Sequence, residues 1–152
     1  MRRKEKEVCN PEVIEKILLS AQVMHLGFCD GDEPYVVPVL FGYEDRRIYV
    51  HSAPEGRKVH LIHEGGKVCF EADTFGGIER KGLPCKWTLD YASVMGVGEA
   101  SVSSDPEEMR KGLDVIVRHY GGRQPYEYSE ASLSKMVMIR IDVKSMTCKR
   151  SM

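Results

Sequence analysis

Short apolar runs joined by turn residues, mostly without helices between them, dictate an antiparallel sheet for this chain. Val23 to Cys29 reads as a strand, Asp30-Gly31-Asp32 as a hairpin turn, and Tyr35-Val36-Val37-Pro38-Val39-Leu40-Phe41 as a second strand inside the stretch 34–43. Pro38 cannot donate a ladder hydrogen bond, so it marks an edge, a bulge or a place where backbone groups point elsewhere. Glu44-Asp45-Arg46 turns the chain into a third strand, Arg47 to His51, and Lys67 to Ala72 forms a fourth. Thr74 to Pro84, with three glycines, reads as a loop. Trp87 to Val102 is β-like but bent at Gly96 and Gly98, and Met136 to Ile141 is the last strand before a short tail. Hairpins without alternating βαβ units predict a mainly β protein, and a chain of this size commonly closes such a sheet into a barrel.

Helices punctuate this pattern at three places. Asn10-Pro11 supplies an N-cap and a first-position proline, and Val13, Ile14, Ile17 and Leu18 recur at helical spacing. A short helix follows the third strand and stops at Gly65-Gly66. Asp105-Pro106-Glu107-Glu108 starts the third helix, whose inner face carries Met109, Leu113, Ile116, Val117 and Tyr120.

The 152 residues are expected to form one domain spanning 1–152. A hydrophobic fraction of 42% with 30% charged residues suits a globular protein, and a formal net charge of −1 removes the broad attraction on which most nucleic-acid binders depend. No apolar run approaches the ~20 residues of a membrane span, and no secretory leader precedes the first helix. Five widely spaced cysteines without a C-x-x-C pair argue against a disulfide framework or structural zinc, so a reducing cytoplasm is the expected location.

The chemistry concentrates in His51-Ser52-Ala53-Pro54-Glu55-Gly56-Arg57-Lys58, where a strand ends in a hydroxyl, turns, and enters a helix with two adjacent cations. That arrangement suits a phosphate: the helix start offers unpaired N–H groups and partial positive charge, Ser52 a donor, Arg57 a two-pronged grip and Lys58 a point charge. A solvated loop whose cations face water is the competing reading. His60 and His63 lack a third ligand and belong to a solvated helix face, so no metal is expected. His25 reads as a strand residue, and His119 suits the negative end of its helix. Cys69 reads as a small apolar filler, Cys85 as a thiol beside Lys86, and Trp87 as core or cleft.

These residues together resemble the flavin-binding split-barrel superfamily of pyridoxamine-phosphate-oxidase-like proteins, most closely its nitroimidazole-resistance branch. The likeness runs through Arg2-Arg3-Lys4-Glu5, Tyr35 to Val39 with Phe41-Gly42-Tyr43, the Ile48–Lys58 run, Val68 to Glu71, and Trp87 with Tyr91, Ser93, Val94, Gly96 and Gly98. It implies a homodimer of six-stranded antiparallel barrels with FMN in clefts between the subunits. By the same resemblance, Ser52, Arg57 and Lys58 hold the FMN phosphate, and Pro38, Val39, Leu40 and Phe41 lie along the flavin ring. His51 stands near the flavin as a candidate catalytic acid. Trp87 and Ser93 complete the cleft, with the other subunit as one source.

The implied activity is FMN-dependent reduction of a small planar acceptor, nitro compounds among them. Two alternatives stand beside it: a flavin-binding module without turnover, and a split barrel carrying haem or a deazaflavin coenzyme. The segment from Lys144 to Met152 lacks the arginine and histidine pair that the oxidases use for their substrate phosphate, which argues against pyridoxamine phosphate as substrate.

Overall fold

The computed structural model describes residues 4–123 and 125–151. After a 3-10 turn (Lys4–Lys6) come β1 (Glu7–Val8), α1 (Pro11–Ser20), β2 (Met24–Asp30), β3 (Glu33–Val39), β4 (Gly42–Glu44) and β5 (Arg47–Ser52). α2 (Arg57–Glu64), β6 (Lys67–Glu79), a second 3-10 turn (Pro84–Lys86) and β7 (Thr88–Ser103) follow. α3 (Pro106–His119), α4 (Glu130–Leu133) and β8 (Val137–Arg150) complete the order.

All strand pairings are antiparallel, and the path across the sheet is β3-β2-β6-β7-β8-β5-β4, with β1 added to β8. The two ends of that path, β3 and β4, are separated by only Leu40 and Phe41. A sheet whose outermost strands are joined by two residues must roll until its edges meet, which makes it a barrel split along one seam. The barrel class expected from the sequence is therefore present. The strand count is eight rather than six, because β1 and β4 are short additions.

Alternation along each strand fills the interior with Met24, Leu26, Phe28, Val50, Phe70 and Ile141, among others. Each such fully buried side chain contributes roughly 1.5–3 kcal/mol relative to exposure. α1 adds Ile14 and Leu18 to this core, its start fixed by the Asn10 side-chain Oδ1, which accepts from the N–H of Glu12 at 2.9 Å and of Val13 at 3.4 Å. α3 lies outside the wall against β4 and β5, enclosing a second cluster of Tyr49, Met109, Val115, Ile116, Leu133 and Met138. Asp105 caps α3 as expected, accepting from Glu108 N–H at 2.9 Å, while the Glu108 carboxylate turns to Arg140 at 2.6 Å.

Four readings need correction. The stretch 74–79 is strand, not loop: β6 runs on through a bulge between Phe75 and Gly77, where Gly77 takes a φ of 131°. The tail is strand as well, since β8 pairs with β7 as far as Arg150. The second strand breaks at Leu40-Phe41 into β3 and β4. The stretch before the last strand contains α4, capped by Ser129 accepting from Ser132 N–H at 3.2 Å.

Candidate functional site

β5 delivers the two residues on which the site turns. Ile48, Val50 and Ser52 face the barrel interior, while His51 stands exposed on the outer side. Ser52 is the buried polar residue of the core, 6% exposed, and its Oγ has no hydrogen-bond partner among the described residues. The chain then turns through Gly56, whose φ of 135° requires glycine.

Gly56 is the N-cap of α2, so no side chain caps that helix, and its first turn contains no acidic residue. The first intrahelical bond is His60 N–H to the Gly56 carbonyl at 3.0 Å. The N–H groups ahead of it are left for solvent or a ligand. Val59, Leu61 and Ile62 are buried and fix the helix on the barrel.

The two cations behave differently. Arg57 donates through Nε to Asp30 and through Nη2 to Glu33, both at 2.8 Å, and its guanidinium lies 4.8 Å above the Tyr35 ring. It ties the loop to the β2–β3 hairpin, and its side chain stays 39% exposed. Lys58 is half-buried and makes no hydrogen bond or ion pair among the described residues. Ser52, the α2 N-terminus and Lys58 thus lie within residues 52–58, none with a side-chain partner among the described residues, and all are donors of the kind an oxyanion takes.

Among the described residues β3 is hydrogen-bonded only to β2, which leaves its other edge free, one of the readings Pro38 allowed. Pro38 is exposed, Val39 half-buried and Leu40 51% exposed. Phe41 departs from expectation: its side chain is fully buried, its ring 4.3 Å from that of His119, and its N–H donates to the Tyr120 hydroxyl at 3.2 Å. Gly42 pairs with Tyr49, so the seam residues come up beside Val50 and His51. The seam thus leads Leu40 and Phe41 toward the end of β5, which carries His51 and Ser52 and runs on to Lys58 at the start of α2.

Trp87 and Ser93 lie outside this group. Trp87 is 44% exposed at the β6–β7 turn, where its Nε1 donates to the Gly82 carbonyl at 3.4 Å and Arg80 lies 5.6 Å from the ring. Ser93 is half-buried on β7 between Asp73 and Lys149. Among the described residues, no hydrogen bond, ion pair or ring contact joins either to the β5–α2 group, and β8 lies between β7 and β5.

Two features escaped the sequence reading. One is a clamp at the end of α3: His119 Nε2 donates to the Ala21 carbonyl at 2.8 Å, and the Tyr120 hydroxyl donates to that of Gln22 at 2.9 Å. Burial pushes the His119 pKa down, opposed by the Ala21 bond, so the imidazole is neutral packing and not a cation on the helix dipole. The other is a hollow of about 880 Å³ on the outer wall, lined by Gly27, Val36, Leu61, Cys69 and Val97 among others. Cys69 faces this hollow, exposed, while its neighbours Val68 and Phe70 enter the core, so it is not the filler expected. A Cβ at Gly27 would lie 2.5 Å from the Cys69 Sγ, and the glycine within β2 was the available signal. His60 and His63 are exposed, and no group of three metal-binding side chains occurs among the described residues. No helix there is long and apolar enough to cross a membrane.

The fold recurs in known proteins. A candidate 5-nitroimidazole antibiotic resistance protein from Bacteroides thetaiotaomicron VPI-5482 is 32% identical, with a TM-score of 0.82 over 94% of this chain and 85% of that one. Flavocytochrome Anf3 from Azotobacter vinelandii superposes with a TM-score of 0.83 at 19% identity, over 100% of this chain and 72% of its own. The FAD and heme binding protein of Mycobacterium smegmatis gives 0.80 at 14% identity, over 96% and 73%. At such identities these two share the fold. An uncharacterized protein of Rhizobium meliloti (strain 1021) is 26% identical over 68 residues, and the match spans under half of that relative, 44% of its length. Residues 10–150 match the family described as pyridoxamine 5'-phosphate oxidase. With that match over nearly the whole sequence and a split barrel to go with it, this chain belongs to the pyridoxamine 5'-phosphate oxidase family.

Proposed function

We propose that the chain is a one-domain, FMN-dependent oxidoreductase, working as a homodimer and reducing a small planar acceptor such as a nitro compound. A reduced nicotinamide or another donor supplies the electrons. The observation that carries this reading is the unpartnered donor set at the β5–α2 junction. Leaving a buried hydroxyl without an acceptor costs about 1–3 kcal/mol, and a phosphate monoester brings oxygens for Ser52, for the uncapped α2 N–H groups and for Lys58. The residues present therefore fit FMN.

The flavin supplies the electron transfer itself. The chain's own residues bind and orient. Pro38, Val39 and Leu40 lie along the ring, and the free edge of β3 offers backbone groups to its polar rim. The buried Phe41, locked by Tyr120, holds the seam at fixed distance from His51. His51, exposed beside that seam, donates a proton to the reduced acceptor. The Bacteroides protein described as a nitroimidazole-resistance candidate, 32% identical over most of both chains, supports the choice of acceptor.

Adding FMN to the purified protein and following flavin fluorescence and the visible spectrum tests this. Tight binding in wild type that weakens in Lys58→Ala, with turnover of a nicotinamide donor and a nitro acceptor, supports the proposal. Bound flavin that never cycles reduces the protein to a flavin-binding module. A Soret band, or refusal of FMN, overturns the cofactor assignment.

A further inference from the structure

We infer that Tyr120 is a positioning residue for the seam between β3 and β4. Through its hydroxyl the last turn of α3 fixes the Leu40-Phe41 elbow against the start of β2, and with it the edge along which the flavin ring lies. The fastening stands on the contacts below; only the ring as what it serves rests on the proposed function.

The end of α3 is built to hold that side chain still. Gly121 takes a φ of 74°, its N–H donates to the Arg118 carbonyl at 3.2 Å, and Gly122 N–H donates to that of Val117 at 2.9 Å. This pair of bonds is a Schellman close, which fixes the chain as it leaves a helix. Tyr120 is the C-cap residue of α3, so the motif sets its backbone while its ring reaches back to the barrel.

That last turn touches both sides of the seam. On the β4 side, Arg118 Nη2 donates to the Glu44 carboxylate at 2.8 Å, and a Cβ on Gly42 would lie 2.6 Å from backbone atoms of Val115 and Ile116. On the β3 side, His119 Nε2 and the Tyr120 hydroxyl bond the carbonyls of Ala21 and Gln22, just before β2, whose Met24 pairs with Val39. The same Tyr120 hydroxyl accepts from Phe41 N–H at 3.2 Å. One oxygen therefore joins the elbow to the strand pair from which it springs. Burial pushes the Tyr120 pKa up, so the phenol keeps the proton it gives to Gln22.

Phe41 is fully buried and Leu40 beside it is 51% exposed, so the elbow passes from core to surface across one peptide unit. Only two residues span the gap between β3 and β4, which leaves no slack. A movement of Phe41 is handed on to Leu40 and Val39. Removing the hydroxyl deprives the Phe41 N–H of its acceptor and frees the elbow to shift. Hydrogen bonds at a flavin ring tune its electronics, and small misplacements of reacting groups cost rate steeply.

Tyr120→Phe keeps the ring and removes the oxygen. On flavin-free protein, amide exchange at Phe41 should quicken about tenfold, the loss of one hydrogen bond. FMN affinity should stay within about threefold of wild type, because the donors at 52–58 are untouched. The midpoint potential and visible bands of the bound flavin, neither of which needs turnover, should shift. In turnover, kcat should fall about tenfold at nearly unchanged KM. Gly121→Ala, strained at a φ of 74° with open space around the new methyl, displaces the hydroxyl without removing it. It should move the same readouts in the same sense, by less. Leu133→Ala, a core truncation on α4, should lower the Tm and leave Phe41 exchange and the flavin potential as in wild type. Exchange and potential unchanged in Tyr120→Phe, or moved as far by Leu133→Ala, overturn the inference while the flavin reading stands. A wild type that takes up no flavin overturns the proposed function, and exchange at Phe41 then still decides the fastening.

Discussion

The Arg57 guanidinium lies 4.8 Å above the ring of Tyr35 while its Nε donates to Asp30 and its Nη2 to Glu33. An arginine held on three sides is a fastener, and Lys58 beside it is the cation with capacity to spare. Lys58→Ala should weaken FMN binding about tenfold to a hundredfold, the loss of one charge-assisted hydrogen bond. Arg57→Ala should weaken it less and should raise amide exchange in the β2–β3 hairpin. Flavin titration and hydrogen exchange on both variants check this; equal losses of affinity with an unchanged hairpin would return Arg57 to the phosphate.

Ser52→Ala should change stability and binding in opposite senses. Without flavin, removing a buried hydroxyl that lacks an acceptor should leave the protein as stable as wild type, or up to about 1 kcal/mol more stable. With FMN, affinity should fall about tenfold. Denaturant melts with and without FMN separate the two effects, and a marked loss of stability in the flavin-free variant would show that Oγ already has a partner.

His119 makes stability pH-dependent with a definite sign. Nε2 carries the proton given to the Ala21 carbonyl, and Nδ1 is buried without a partner. Burial lowers the folded pKa below 6.5, the unfolded value, so the unfolded chain binds the extra proton first. The contribution is complete above the unfolded value and is lost as pH falls through it toward the folded one. His119→Gln lacks this term. The gap in melting temperature between wild type and variant should narrow on going from about pH 7.5 to about pH 5.5; a constant or widening gap would contradict the assignment.

Gly42 is where α3 meets the wall. A Cβ there would lie 2.6 Å from Ile116 N and from the Val115 carbonyl carbon, both backbone atoms that cannot swing aside. Gly42→Ala should cost about 1–3 kcal/mol or more, as overpacking does. Thermal melts would show it, and an unchanged Tm would mean that α3 floats on β4.

Local signals were read correctly where a single residue type decides the geometry. Asn10-Pro11 and Asp105-Pro106 cap their helices, and Pro38 lies on an edge strand. Gly76-Gly77 misled because glycines mark loops and bulges alike, and only pairing with β7 separates the two. The polar end of β8 hid for a related reason: half of its side chains face water, so it lacks the apolar run of a buried strand. The hydroxyl and cations at 52–58 were legible because they are contiguous. The fastening of Arg57 was not, because Asp30 and Glu33 approach it only once β2 and β3 have paired.

The two-residue elbow at Leu40-Phe41 has a broader consequence. Where a cylinder closes by a covalent hinge instead of a ladder, both lips keep spare backbone valences, and the outward half of the hinge can change without repacking the interior. Substitutions at the exposed Leu40 should be tolerated by folding and felt by chemistry, while Phe41 is anchored in the interior, which makes that one position the place where this architecture can diversify its reactions.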